Sequence, residues 1–468
     1  MELRFSFVRG LLLDAIVVAL LANDVANGQA VQGSIEPTTY STPTAAADAA
    51  TPGAQQPPLS AEQAREVEMI RQLARHRGGQ PEALAQIVQL ASPYGDAISA
   101  ELLEELAASH RRVGALNLAA DARTHLAQRY PNEPLGRRAI LWLVRLYASG
   151  EVAHARRSES PGTANLRRQL SPRMAAALSE MPTSVEGGPA VSPAAEKAGE
   201  QFALYALRFA TRAMGSHAGL ADDPALAFQR SVAARKAGQT KSSEAFLSPL
   251  KHRAAADPWG QCARAEEWLL DRAAEASPKP VTPCVSAEAP PHLDGHLDDP
   301  CWKIAVDQRA PVSSQDHAAS LPADVRLAYD EEYIYVAVQC QKLEGASYEP
   351  DARPRPHDGD VEAHDRVRLL IDVDRDYASW FELVIDCRGW TADRCWGDVR
   401  WNPSWYVARG ESADGAAWTA EAAIPLDELV AVPPTSGAAW AAATTRLPAA
   451  EQSVADLEPA AFSLLLFD

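Results

Sequence analysis

The spacing of apolar residues changes once along this chain, from a helical period to a strand period. From Ser60 to about residue 276 they recur every three or four positions; in "SAEQAREVEMIRQLARHR", Val67, Ile70 and Leu73 share one face. Beyond residue 290 the period is two, as in "DVRLAYDEEYIYVAVQC", where two alternating runs flank an acidic turn. The pattern predicts a multidomain chain, α then β: a helical repeat or bundle followed by an antiparallel β-sandwich.

Local signals support the helical interpretation and locate its start. Ser60 precedes the first helical run and Gln63 follows three residues later, which is the arrangement of a capping box. Short breaks at "SPYGD" and "PNEP" separate further runs of the same kind. We therefore expect stacked helical hairpins.

The first 30 residues carry the pattern of an export signal. Arg4 and Arg9 precede the apolar run "LLLDAIVVALLA", and "ANGQA" then ends in small residues at Ala30. Asp14 inside the run leaves a buried N-terminal helix as the alternative. No other segment approaches about 18 consecutive apolar residues, so we predict an exported protein of the periplasm, cell surface or extracellular space, not an integral membrane protein.

Composition divides the rest of the chain. Stretches rich in Pro and small residues cannot bury enough apolar surface to offset the entropy of ordering, so they are predicted to be linkers. The predicted segments are the signal peptide 1–30, a Pro/Ala/Thr linker 31–59, the helical region 60–276 with a break near 181–196, a Pro-rich linker 277–290 and the sandwich 291–468.

Charge and cysteine content narrow the partners. Residues 281–468 hold 33 acidic and 14 basic residues, a net charge of −19, which leaves +1 for residues 1–280. So acidic a domain repels phosphate backbones, and nucleic acid is excluded as a partner. Six cysteines are present, and export permits disulfides. Cys387 and Cys395 are the candidate pair, with buried free thiols as the alternative.

Two stretches of the helical region share the motif P-x-G-x-x-A. It occurs at Pro134, Gly136 and Ala139 in "RYPNEPLGRRA" and again, more faintly, from Pro258. The first stretch resembles tetratricopeptide-type repeats, in which small residues let helices approach closely. The resemblance implies a protein partner at the helical region; an ordinary helical bundle is the alternative.

Five motifs of the C-terminal part occur in a characteristic order: "LDGHLDDPCWKIA", "DVRLAYDEEYIYVAVQC", "DRVRLLIDVD", "WTAEAAIPLDEL" and "AWAAATTRL". Together they resemble the family 9 carbohydrate-binding modules and similar sugar-binding sandwich domains. The resemblance covers residues 290–468. It implies a β-sandwich that binds a polysaccharide or oligosaccharide and carries structural calcium, with Trp302, Trp418 and Trp440 in the core.

Four further tryptophans lie in "CRGWTADRCWGDVRWNPSWY", which has poor strand character. Indole faces stack on the C–H faces of sugar rings, while polar neighbours bind the hydroxyls. The candidate carbohydrate-binding residues are Trp390, Trp396, Trp401, Trp405, Arg388 and Glu362. A mini-core beneath a long loop is the equal alternative for the tryptophans.

The sequence departs from the family at the usual sugar clamp. In family members an aromatic residue before the "D-x-V-E" strand stacks on the sugar, and an acid on that strand accepts its hydroxyls. Here the segment reads "DGDVEAHDRVRLL": no aromatic precedes Asp365, and Arg368 stands where the acid is expected. The usual clamp is therefore predicted to be missing.

Alternating acids in "IDVDRD" suggest a cation site. Asp372, Asp374 and Asp376 supply hard carboxylate oxygens of the kind that Ca²⁺ prefers, and structural Ca²⁺ is the only cofactor considered. The sequence lacks a complete EF-hand loop. Solvated turn acids are the alternative.

No catalytic motif is present: the chain has no G-x-S-x-G elbow, H-E-x-x-H or P-loop, and no catalytic residue is assigned. The predicted function is a non-catalytic, exported carbohydrate-binding protein. An envelope scaffold with a degenerate sugar-binding fold is the alternative. A lesser one is an accessory part of glycoside-hydrolysing, carbohydrate-catabolic machinery.

Overall fold

The computed structural model describes residues 59–131, 133–158, 193–272, 276–310, 322–344, 347–348, 358–449 and 457–468. The predicted signal peptide, residues 31–58 of the first linker and residues 181–192 of the predicted break lie outside the described residues. Leu59–Asp468 form one compact unit, so the helices and the sheet pack on each other.

The described α-helices all precede the sheet except for a single short one. They are α1 Ala61–His76, α2 Ala83–Ala91, α3 Asp96–Arg112, α4 Leu116–Arg129, α5 Pro134–Ala148, α6 Gly150–Ser158, α7 Pro193–Ser216, α8 Pro224–Lys236, α9 Thr240–Lys251, α10 Pro258–Trp268 and α11 Pro300–Ile304. The capping box is confirmed: Gln63 N donates to Ser60 Oγ (3.2 Å), and Ser60 N donates to Gln63 Oε1 (3.0 Å). Within the described part of the chain, no helix combines the length and apolar character needed to cross a membrane.

The shared P-x-G-x-x-A motif begins two helices, α5 and α10. Pro134 occupies the first turn of α5, where a missing N–H costs nothing. Gly136 lies so close to the preceding turn that an added Cβ would stand 2.1 Å from Tyr130 O. The motif therefore sets a close helix–helix approach. Its origin in tetratricopeptide repeats stays a prediction.

The strands follow in the C-terminal half. They are β1 Val281–Ser286, β2 Gln308–Ala310, β3 Ala323–Tyr329, β4 Tyr333–Gln341, β5 Arg366–Asp372, β6 Phe381–Asp386, β7 Thr391–Cys395, β8 Tyr406–Glu411, β9 Ala417–Pro425, β10 Ala439–Leu447 and β11 Ser463–Phe467. Their order is β7-β6-β5-β10-β11-β1-β3-β4-β9-β8, with β2 on β3.

The first strand corrects the predicted boundary. β1 lies inside the predicted linker 277–290 and joins the two halves of the sheet, pairing parallel with both β11 and β3. The sheet is therefore mixed, although the other pairings are antiparallel. The prolines around it hid this strand, because Pro283 lacks a ladder N–H and is rare inside strands.

The two halves of the curled sheet face each other across an apolar core, as a sandwich requires. Val325 and Val338 from one half and Val367 and Leu383 from the other line the same small cavity. Outside the second half, Leu370 of β5 packs with residues of α8 and α10. The helical region thus covers one outer face of the sandwich.

Candidate functional site

The predicted tryptophan platform is divided between the two ends of the β6–β7 hairpin. Trp390 lies where β7 begins, whereas Trp396, Trp401 and Trp405 follow its end. All four are buried, with exposures of 9, 2, 2 and 5% in chain order. Sugar stacking needs an accessible ring face. Burial removes it, so the platform does not form and the mini-core alternative describes these residues.

Each of the three later indoles has a structural partner. Trp396 stacks on Trp142 of α5, with ring centroids 5.1 Å apart. Trp401 packs on Phe381 of β6 at 4.5 Å. Trp405 Nε1 donates to Asp393 Oδ2 (3.1 Å). These contacts attach the loop after β7 to the helices and the core, away from solvent.

The other three predicted sugar-site residues do meet, at the end of the sandwich where β5 starts and β6 stops. The Arg388 guanidinium lies 3.8 Å from the Trp390 ring centroid and donates to Asp386 Oδ2 (2.6 Å) and to Asp360 O (2.7 Å). Asp360 Oδ1 in turn accepts from Glu362 N (3.1 Å), and both acids are exposed. This group is called the Arg388 end below.

Asp365 lies in the segment where the sequence differs from the family's sugar clamp, and it is a buried structural residue. Arg446 of β10 donates to both of its carboxylate oxygens, at 3.0 and 2.6 Å, and is 0% exposed. Trp418 Nε1 of β9 and Tyr348 Oη also donate to Asp365 Oδ2 (2.8 and 3.1 Å). The aspartate therefore ties β5, β9 and β10 together rather than binding a ligand.

Arg368, which replaces the expected strand acid, is likewise engaged inside the protein. Its Nη2 donates to Glu382 Oε2 on β6 at 3.1 Å, and both side chains are less than a tenth exposed. The pair explains how a cation is tolerated at a buried strand position. Sugar hydroxyls have no access to this carboxylate.

A second candidate site lies at the opposite end of β5. Of the three predicted metal ligands, Asp372 ends β5 and Asp374 and Asp376 lie in the β5–β6 connection; the structure adds Glu151 from the first turn of α6. One oxygen each from Glu151, Asp372 and Asp374 lies within 4.8 Å of the others. Two non-glycine residues of this connection have positive φ, Arg375 at 54° and Tyr377 at 53°.

The pKa values of these acids diverge because of their surroundings. Burial, then the charge of Asp374, raises the pKa of Glu151 well above its usual range; burial, then Asp376, does the same for Asp372. Burial and the Asp374 charge raise the pKa of Asp376 to about 7. Burial also opposes ionisation of Asp374, but Lys236, 2.8 Å away, brings its pKa below the usual value. Of these four carboxylates, Asp374 is the one that the Lys236 ammonium group contacts in the described part of the chain.

The donor set fits a hard cation. Asp374 Oδ2 accepts from Gly150 N (2.6 Å) and Lys236 Nζ, whereas Asp374 Oδ1 is buried and has no hydrogen-bond partner among the described residues. Clustered carboxylate oxygens, one of them unpaired, are the ligands that Ca²⁺ takes. Sequence spacing alone missed Glu151, since it lies 221 positions before Asp372.

The predicted Cys387–Cys395 disulfide does not form. All six cysteines of the chain are free and buried. The β6–β7 register places Cys395 opposite Phe381, six positions before Cys387, so about 20 Å of strand separates the two thiols. A disulfide requires Cα atoms within about 7 Å.

No protein-family model and no curated protein matches this chain. Its C-terminal β region is similar to two solved structures of a carbohydrate binding module family 9 (CBM9) from Caldicellulosiruptor kristjanssonii. For the complex with cellotriose the identity is 15%, the coverage 40% of this chain and 93% of that chain, and the TM-score 0.29. For the complex with glucose the identity is 14%, the coverage 40% of this chain and 96% of that chain, and the TM-score 0.28.

Proposed function

We propose that this chain is a non-catalytic carbohydrate-binding protein whose saccharide contacts the Arg388 end of the sandwich. The observation that carries the proposal is that two separate segments meet at this end: the exposed acids Asp360 and Glu362 lie beside Arg388, which packs on the buried indole of Trp390. The ordered family 9-like motifs of the sequence support the same ligand class.

The chemistry of this end suits hydroxyl groups rather than ring stacking. The exposed carboxylates of Asp360 and Glu362 accept hydrogen bonds, and charge-assisted bonds of this kind are the stronger ones. Arg388 is held in place by Asp386, so its guanidinium plane already covers the indole of Trp390. A saccharide would therefore bind through its hydroxyls at this edge, without the two-sided aromatic clamp.

The position is also separate from the contact with the helical region. β5 runs for seven residues from this end to the acidic connection that touches α6, a distance of about 20 Å. The helical contact at Glu151 therefore lies at the far end of the strand from the proposed saccharide. Export, which rests on the pattern of residues 1–30, would place such a site among extracellular or envelope glycans, alone or as an accessory of glycoside-hydrolysing machinery.

Affinity gel electrophoresis with soluble polysaccharides, followed by titration calorimetry with cellotriose, tests the proposal on the full chain. The wild type is expected to be retarded by at least one polysaccharide. Glu362→Ala should weaken that binding about 10- to 150-fold, because a charge-assisted hydrogen bond contributes about 1.5–3 kcal/mol. The matched control is Glu331→Ala, an exposed acid in the β3–β4 turn at the other end of the sandwich. Absence of retention on every polysaccharide, or equal losses in both variants, contradicts the proposal.

A groove on the helices favours a second function, protein interaction. It has a volume of about 830 Å³ and is lined by residues of α1, α3 and α5 with both signs of charge, among them Arg71, Glu101 and Arg138. Such a groove fits a segment of a partner protein that also carries both charges. A stoichiometric partner that is lost on Glu101→Lys and kept on Glu362→Ala would support the scaffold role. A partner that both variants retain would exclude this groove.

A further inference from the structure

Glu151 of the helical region is hydrogen-bonded to the acidic β5–β6 connection. It is 0% exposed, and its Oε1 accepts from Val373 N at 2.7 Å. Gly150 N beside it donates to Asp374 Oδ2 at 2.6 Å. Two consecutive residues of α6 are therefore hydrogen-bonded to Val373 and Asp374, directly after Asp372.

Two serines hold the Glu151 carboxylate in place. Ser149 Oγ and Ser379 Oγ lie 3.1 and 2.9 Å from Glu151 Oε2, and both serines are buried. Ser379 Oγ also lies 2.8 Å from Asp376 Oδ2. In metal sites, hydrogen-bond partners of this kind fix the orientation of the side chains that bind the ion. Here one serine comes from the helical region and the other from the β5–β6 connection.

The charge balance of the cluster is incomplete. Glu151, Asp372 and Asp376 are each 0% exposed, and isolated buried carboxylates are costly unless they are neutralised. Lys236 contacts one acid, Asp374. Arg235, the neighbouring cation, donates to the main-chain oxygen of Asp374 and pairs with Glu266 instead. A bound cation would neutralise the remaining acids when they are ionised.

Unpaired oxygens mark where an ion would be held. Asp374 Oδ1 has no hydrogen-bond partner in the described part of the chain, although its surroundings exclude solvent from it. The same is true of Gln229 Oε1, in a residue that is 0% exposed and whose Nε2 donates to Asp376 O at 2.8 Å. Buried acceptors left unpaired beside one short connection need a partner that the protein itself does not supply.

We propose that Glu151, Asp372 and Asp374 bind one Ca²⁺ ion, which joins the helical region to the sandwich. Oxygens that share a Ca²⁺ at about 2.4 Å lie at most about 4.8 Å apart, and the three carboxylates meet that limit. Glu151 is the decisive ligand, because it lies outside the sandwich. The ion would therefore stabilise the joint between the two parts, independently of any saccharide.

The test uses the full chain after treatment with EDTA and dialysis. Calorimetric titration with Ca²⁺ should show one site, and Ca²⁺ should raise the melting temperature by several degrees, because a ligand of the native state stabilises it. Glu151→Gln keeps the shape of the side chain and should abolish both effects. Asp374→Asn should do the same, whereas Glu244→Gln, an exposed acid on α9, should leave both intact.

The contrary results are equally defined. If the EDTA-treated wild type neither binds Ca²⁺ nor melts higher with it, the site does not exist. If Glu151→Gln, shown by circular dichroism to be folded, binds Ca²⁺ as the wild type does, Glu151 is not a ligand and the ion does not join the helical region to the sandwich. A Mg²⁺ response as strong as the Ca²⁺ response would overturn the choice of ion. Saccharide retention of the same samples is scored separately, so neither proposal depends on the other.

Discussion

Trp142 of α5 and Trp396 of the loop after β7 stack with their ring centroids 5.1 Å apart and their planes 19° from parallel. Arg123 lies 4.3 Å from the centroid of Trp142, and Arg111 lies 4.8 Å from that of Trp396. Arg111 also donates to Trp396 O from two nitrogens, at 3.2 and 3.0 Å. The helical region and the sandwich are thus joined by aromatic and cation–π contacts.

This joint predicts that Trp396→Ala destabilises the protein without affecting saccharide binding. The free energy of unfolding should fall by about 3–5 kcal/mol, since the substitution removes a buried ring and its stacking contact with Trp142. Urea unfolding followed by circular dichroism measures the change. Tyr406→Ala, which truncates a ring that is 56% exposed, is the control and should change stability little. Weaker saccharide binding by Trp396→Ala at unchanged stability would contradict this role.

Gly136→Ala should destabilise the start of α5, against the usual helix preference for alanine. The added Cβ would lie 2.1 Å from Tyr130 O, a backbone atom that cannot move alone. Overpacking of this kind costs about 1–3 kcal/mol. Gly215→Ala in α7 is the matched control: nothing lies within 4 Å of its added Cβ, so it should be neutral or stabilise by up to about 1 kcal/mol. Thermal unfolding of both variants distinguishes the two effects.

Asp365→Asn should be strongly destabilising, because it leaves the fully buried guanidinium of Arg446 without its charged partner. Breaking a buried ion pair costs about 3–5 kcal/mol. The double variant Asp365→Asn, Arg446→Met removes both charges and should recover part of that loss. A double-mutant cycle in denaturant measures the coupling. Additive losses in the double variant would show that the pair does not act as a unit.

Stability should fall at mildly acidic pH because of His110. Its side chain is buried, its Nδ1 accepts from Gly79 N (3.0 Å), and burial lowers its pKa below the usual value of 6.5. Below pH 6.5, His110 is therefore protonated in the unfolded chain before it is protonated in the folded protein. Neutral His110 therefore contributes to the free energy of unfolding above about pH 6.5. This contribution is lost as the pH falls through the pKa of His110 in the folded protein.

The pH effect is measured as the difference in unfolding free energy between the wild type and His110→Gln from pH 8 to pH 5. Other titrating groups cancel in this difference. The wild type should lose stability relative to the variant as the pH falls. A difference that stays constant over this range would show that His110 does not cause it.

Sequence patterns correctly predicted those features of the fold that depend on residues close together in the chain. The capping box at Ser60 and Gln63 was confirmed because both partners lie within one turn. The strands predicted from the alternating runs were confirmed as the antiparallel pair β3 and β4, because a period of two is a property of neighbouring residues in a strand. β1 was missed because its prolines resemble a linker, whereas its place between β11 and β3 comes from residues about 40 and 180 positions away.

The sequence alone determined the succession of helices and strands and the chemistry available in each loop, since periodicity and residue type are local properties. Only the tertiary structure decided which of those groups meet. It buried all four loop tryptophans, kept Glu362 near Arg388, and brought Glu151 to Asp372 and Asp374. The reason is physical: burial and charge pairing depend on contacts between distant segments, which chain folding creates and residue spacing does not encode.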